Sequence, residues 1–269
     1  MGNWAYQSLD MMKANVAGTV TTDDAIRRRV LEAVSEAIDN YVGRTFRTYL
    51  ATRVLSAEFG GHIRVPDLLA ITTLKSDEDQ DWDYDNLWAT TDYILQPSNA
   101  SVGRQPYTVL RTRPGGDHSF TGQPDGVQIV GKWGYFEELE TLASLANEAM
   151  DSSETGFDVD AGTDFDVLDT LLVDSEQMYV TAIATNTLTV VRGVNGTTAA
   201  AHDTDSVIKR YRYPGPVVEA CGIQAARVFK RKDAPFGVVG TVDSGFYSVR
   251  TLDPDVTQLL SPYRHLVVA

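Results

Sequence analysis

The chain has 269 residues, with 37 acidic side chains against 23 Lys and Arg and a formal charge of −14. At 43% hydrophobic and 22% charged residues it has the composition of a folded globular protein, which excludes a disordered or collagen-like chain. No run approaches the ~18 apolar residues of a membrane span, and MGNWAYQSLD lacks the basic start and apolar core of a signal peptide, so a cytoplasmic protein of one large or two smaller domains, with no membrane partner, is expected.

The myristoylation pattern fails at Tyr6, and the lone Cys221 forbids an intrachain disulfide or a thiolate metal cage. Charge is unevenly placed: residues 137–213 hold 15 acids and 4 bases, and the remainder 22 acids and 19 bases. Such asymmetry predicts an acidic module set into a nearly neutral host.

In chain order, YQSLDMMKANVAG predicts a short helix with Tyr6, Leu9 and Met12 on one face, ended by Gly18. Thr21 and Asp24 then have capping-box spacing, and Ile26, Val30, Val34, Ile38 and Tyr41 recur at helical intervals until Gly43. Arg27, Arg28 and Arg29 read as a solvated or subunit-facing flank of that helix rather than a phosphate grip. From Thr48 the runs TYLATRVLSAEF, HIRVP, LLAITTL, DYILQP, YTVLR and GVQIVGKW predict a small antiparallel sheet. Between them lies DEDQDWDYD, where Asp77, Asp79 and Asp81 are candidate ligands for a hard cation such as calcium. The EF-hand pattern fails, with Trp82 at its sixth position and Trp88 at its twelfth, which favours an acidic hairpin tip.

ELETLASLANEAMDSS fits a helix or an opening strand. FDVD, TLLV, QMYVTAI, TLTVVRG and DSVIKRYRY then predict a small all-β module, barrel- or sandwich-like, with Asn195–Gly196 as its strongest tight-turn signal. Pro216 starts a second strong helix whose apolar stripe is Val218, Cys221, Ala225 and Val228. Its end explains "FKRKDAPFG": Arg227, Lys230, Arg231 and Lys232 fall where cations meet exposed carbonyls, and Pro235 and Gly237 stop the helix. The same four cations are candidate contacts for DNA or a protein partner. In LDPDVTQLLSPY, Asp253 caps and Pro254 starts a last short helix, and the tail LVVA needs something to dock on.

No catalytic pattern survives. His62, His118, His202 and His265 form no metal-binding helical pair, no Ser sits in G-x-S-x-G, and GGDHSFTG lacks the Lys and spacing of a phosphate loop. No enzymatic activity and no cofactor are expected, and Cys221 reads as a core thiol. The acidic residues are too many for any pair to be singled out as acid and base.

With the acidic module set aside, IVGKWGYFEE joined to YPGPVVEACGIQAARVFKRKDAPFG resembles the head-to-tail connector (adaptor, or head-completion) proteins of tailed bacteriophages. TTDDAIRRRVLEAVSEAIDNYVGRTF, closing on Tyr41, Gly43, Arg44 and Phe46, looks like that family's opening helix, and VPDLLAITTL and TDYIL match its middle. The resemblance implies an α+β fold: a helical connector core with a small antiparallel sheet, covering 1–138 and 214–269 and interrupted by an inserted acidic all-β module at 139–213. It further implies a homo-oligomeric ring of twelve copies in the virion neck, assembled in the host bacterial cytoplasm. Such a ring docks on the portal through the C-terminal part, here Leu259, Leu260, Tyr263, Arg264, Leu266, Val267 and Val268. It meets the next neck protein, or stopper, and passes double-stranded DNA without sequence specificity. Two other readings stand beside it: a carbohydrate- or surface-binding virion decoration protein, and a phage enzyme with a carboxylate site.

Overall fold

A computed structural model describes residues 3–16, 21–57, 61–231, 238–239, 247–248 and 252–265. The fold is α+β. In chain order the elements are α1 (Leu9–Asn15), α2 (Asp24–Val42), β1 (Tyr49–Leu55), β2 (His62–Ser76), β3 (Asn86–Leu87), β4 (Tyr93–Gln96), β5 (Tyr107–Thr112) and β6 (Val127–Trp133). There follow β7 (Glu138–Leu145), β8 (Gly156–Asp158), β9 (Thr170–Val173), β10 (Glu176–Ala184), β11 (Thr187–Val191), β12 (Val207–Arg212), α3 (Gly215–Lys230), the two-residue pair β13 (Val238–Val239) and β14 (Tyr247–Ser248), and α4 (Pro254–Leu260). No described helix is long and apolar enough to cross a membrane.

Contacts divide the chain into two compact units, one of Met1–Gly43, Glu138–Val194 and Thr198–Ala269, the other of Arg44–Glu137 with Asn195–Thr197. This cut differs from the grouping of 1–138 with 214–269 that the resemblance implies. The second sheet is tied to the helices: Leu9 N donates to Val167 O at 3.1 Å, and the buried Tyr179 hydroxyl donates to Glu32 at 3.2 Å.

In the 44–137 unit the sheet order is β1-β6-β2-β5-β4, with β3 paired to β2. HIRVP and LLAITTL, separate runs in the sequence, form the single strand β2. Its register shifts between Arg64 and Leu68, so one half pairs with β5 and the other with β6. Pro66 lies in that irregular stretch, where a residue without an N–H is tolerated. Ile63, Val65, Leu68, Leu74, Trp88, Leu110, Ile129 and Trp133 fill the core.

In the other unit, residues 138–212 form an antiparallel sheet of order β7-β12-β9-β10-β11-β8. Its two ends meet. Ala146 bridges Val159, and Asn147 N donates to Asp158 O at 2.8 Å, which closes the sheet into a small barrel without free edges there. Phe157, Phe165, Leu171, Val173, Met178, Val180, Leu188 and Ile208 are among its buried interior. The ambiguous ELETLASL is strand β7, paired with β12. Asn195 and Gly196 do have positive φ, 54° and 81°, but they sit in a 3-10 turn between β11 and β12 and make no hairpin. The β10–β11 hairpin turns at Thr185–Asn186, with Thr185 at φ 56°.

The helices pack on one another, α2 and α1 against α3 and α3 against α4. Both long helices bury a face turned about one residue from the predicted stripe. α2 buries Arg27, Leu31, Val34, Ser35, Ile38 and Val42, and α3 buries Val217, Ala220, Cys221, Gly222, Ala225 and Phe229. Arg27 is therefore neither a solvated nor a subunit-facing flank: it is 3% exposed, paired with Asp24 at 2.9 Å, with its guanidinium over the Phe229 ring. The capping box is also absent. Asp23 is the N-cap and makes no side-chain cap bond, while Asp24 pairs with Lys13 at 2.9 Å as well as with Arg27. Gly43 ends α2 in the left-handed conformation, as expected, its N–H on Asp39 O at 2.9 Å. Tyr6 precedes α1, whose N-cap is Ser8, and Gly18 lies outside the described residues.

Candidate functional site

Part of the stretches quoted for the resemblance, Arg44, Phe46 and Trp133–Tyr135, meets in the 44–137 unit, whereas α2 and α3 lie in the other. Trp133 is fully buried and its indole N–H donates to Ala51 O at 2.9 Å. Gly134 follows at φ 134°, where a Cβ would stand 2.4 Å from the Arg47 carbonyl oxygen, and its N–H reaches Asp67 O at 2.9 Å. Tyr135 N donates to Thr45 O at 3.0 Å, its ring meets Phe46 edge-on, and the Arg44 guanidinium lies over it, with Arg44 Nε 3.4 Å from the buried Asp67 carboxylate. The G-x-W-G-Y and G-R-x-F residues thus knit the chain entering β1 to the chain leaving β6. They hold backbone together and present no free nucleophile or acid.

A second buried cluster lies in the barrel, and no local spacing announces it. Glu176, 0% exposed, receives Arg192 Nε at 2.7 Å, Arg192 Nη2 at 2.8 Å, the N–H groups of Gly193 and Ala200 at 2.9 Å each, and a contact with His202 Nε2 at 3.0 Å. The other His202 nitrogen is 2.7 Å from Asp174. Burial alone would raise the Glu176 carboxyl, but the Arg192 bonds, the Ala200 N–H and His202 outweigh it and hold it down at about 2. Arg192 also donates to the carbonyls of Asp151, Glu154 and Ala200. Every group is matched to a partner, so the cluster pins the 192–202 connection to β10 and leaves no idle base.

Perturbed carboxyls beside a cavity occur at Asp166 and Asp169. Burial pushes Asp169 up to about 6 against the pull of the Asp166 N–H and Arg210, and burial followed by the Asp10 carboxylate raises Asp166. The cavity they line is only about 90 Å³, against the ~300 Å³ or more of a small-molecule site. A shallow groove of about 660 Å³ bordered by Asp10, Lys13, Asp24 and Arg28 carries mixed charge. Cys221 is fully buried, 3.6 Å from the Ser35 hydroxyl, and burial pushes its thiol up to about 11, as suits a core residue.

Of the expected partner contacts, Arg227 is spoken for, ion-paired with Asp253. Lys230 is exposed in the last turn of α3, Arg231 is its half-buried C-cap, and Lys232 lies outside the described residues. In the docking segment Leu260 is 0% exposed inside its own unit and is not available to a partner. Leu259 and Tyr263 are half-buried, Arg264 is exposed with its guanidinium over Tyr41, and His265 N donates to Val42 O at 2.7 Å. Leu266, Val267 and Val268 lie outside the described residues.

Asp77, Asp79 and Asp81 are brought together, one oxygen of each within 4.8 Å of the others. Asp77 is buried; its carboxylate accepts Gln80 N at 2.7 Å, Trp82 N at 2.9 Å and Gln123 Nε2 at 3.0 Å. Burial raises its carboxyl, and the backbone N–H groups of Trp82 and Gln80, the Gln123 amide and the Asp81 N–H outweigh that and lower it. Asp79 is raised, chiefly by the Asp81 carboxylate.

No family model matches the chain, and no curated protein matches it. Among solved structures, one described as the neck of an empty GTA particle, computed with C6 symmetry, aligns with 98% of this chain and 92% of its own at 12% identity and a TM-score of 0.33. That score lies below the level at which a shared fold is inferred.

Proposed function

We propose that this chain is a structural, non-enzymatic component of a tailed-phage neck. In this reading it is a connector that assembles as a ring of twelve, binds the portal on one side and the next neck protein on the other, and lets the duplex genome pass. The observation that carries the reading is the order of connector-like segments on both sides of residues 138–212, together with how that segment joins them. Its first and last strands pair with each other, Glu138 opposite Arg212 and Leu139 opposite Tyr211, so the segment begins and ends at one place, about 5 Å apart. Insertions of whole modules are tolerated at such points. The contacts of Arg44, Phe46, Trp133, Gly134 and Tyr135 are architectural, which suits a protein selected for assembly rather than turnover.

Charge supports the same role. Twelve copies at −14 each carry about −168, and duplex DNA bears one negative charge per ~1.7 Å of axis. A ring of that sign repels the genome and lets it slide. Mass photometry of the protein alone and mixed with its cognate portal tests the reading: a twelve-copy species, or a portal-bound ring, is expected, and monomers without portal binding overturn it.

A further inference from the structure

The cavity of about 90 Å³ beside Asp166 and Asp169 has no part in the proposed neck role, and its geometry stands independently of that role. It lies between the N-terminal segment, at Tyr6, Gln7 and Ser8, and the barrel, at Asp169, Thr170 and Arg210. We propose that it is a hydration site, in which about three ordered waters, anchored by Thr170 and Asp169, join the N-terminal segment to the barrel. A water's share of liquid volume is ~30 Å³, so about three fit in a space too small for an organic ligand.

Thr170 points to a ligand there. Leu171 and Val173 of β9 belong to the barrel interior, and side chains alternate along a strand, so Thr170 stands on the opposite face, toward the cavity it lines. It is 2% exposed, and its hydroxyl has no hydrogen-bond partner among the described residues. Buried hydroxyls are paired as a rule, with protein or with ordered water, so this one calls for a partner from outside the chain. Asp169 offers a second anchor. The Asp166 N–H at 2.9 Å and Arg210 Nη1 at 3.1 Å both fall on its Oδ2, which leaves Oδ1 to another donor. Burial pushes the Asp169 carboxyl up to about 6, and water suits both of its forms, donating to the carboxylate and accepting from the acid. Gln7 is not needed as an anchor: its Nε2 reaches Val218 O at 3.5 Å and packs over Gly222, where a Cβ would stand 2.4 Å away. On the wall Arg210 and Arg212 offset Asp166 and Asp169, so neither a bare cation nor an anion is favoured over neutral water.

Two measurements on the full-length protein test the site. A crystal structure that resolves solvent should show water within about 2.5–3.2 Å of Thr170 Oγ1 and of Asp169 Oδ1. Thr170→Val keeps the β-branched shape and removes only the hydroxyl. In a dry cavity that change deletes an unpaired buried polar group and raises the thermal midpoint, whereas at a hydration site it strips the waters of an anchor. The expected result is a midpoint lowered by about 2–4 °C, with the water nearest residue 170 lost from crystals of Thr170→Val and kept in Thr170→Ser. An empty cavity in the native crystal, an ion or additive in place of water, or a Thr170→Val midpoint at or above the native one overturns the site.

Discussion

Glu176 is the residue on which the barrel's interior electrostatics turn. It gathers two N–H groups of Arg192, two backbone N–H groups and His202 in a place water does not reach. Replacing it by Gln leaves Arg192, whose side chain is 6% exposed, without its counter-charge, and removing one partner of a buried pair costs about 3–5 kcal/mol. Glu176→Gln should lower the urea midpoint accordingly, and an unchanged midpoint contradicts the assignment. Because its folded pKa is depressed from 4.5 to about 2, Glu176 contributes stability present above about pH 4.5 and lost as pH falls toward 2. Denaturant midpoints measured between pH 6 and 2 should fall more steeply in the native protein than in Glu176→Gln. None of this was legible in sequence. Glu176, Arg192 and His202 are 16 and 26 residues apart along the chain, on different strands and connections, and no spacing rule links them. The alternating acids 77–81 were legible, because their convergence is local; the Gln123 amide that donates to Asp77 was not, because only the fold brings it there.

At the scale of elements, strand runs were legible wherever burial alternates, as in β6, whose residues alternate between buried and half-buried along its length. Helix faces were legible in period but not in phase. Arg27 and Ser35 belong to the buried face of α2 because each finds a polar partner there, Asp24 for one and the Leu31 carbonyl for the other, and a count of apolar residues passes over both. The Thr185–Asn186 turn was missed because Thr rarely takes positive φ, while Asn195–Gly196 carried the stronger turn signal and sits in a longer connection. Two predictions belong here. Gly134→Ala, which would force a Cβ to within 2.4 Å of the Arg47 carbonyl, should destabilise the protein by at least roughly 2 kcal/mol, read from chemical unfolding; a neutral effect contradicts the motif node. The isolated segment 138–213, with its own core and closed sheet, should melt cooperatively and show dispersed amide resonances, and a molten spectrum would show that the barrel depends on the helices.

For the whole molecule, the sequence marked residues 137–213 by their charge and set 139–213 as an insertion in a core of 1–138 and 214–269. Composition reports what a segment is made of, while contacts decide which neighbours it shares, and these group the barrel with the helices. The excess negative charge predicts that assembled protein does not retain duplex DNA in a mobility-shift assay even at about 50 mM salt, where basic rings bind strongly. Salt-dependent retention would mean that a basic lumen dominates. The most direct measurement is electron microscopy of the protein alone and mixed with its cognate portal, with particles viewed end-on. The connector account predicts closed rings, free or seated on the portal, with a central opening at least about as wide as a ~20 Å DNA duplex, on the scale of its groove dimensions. Monomers or small dimers in both samples, with no portal binding, would contradict it.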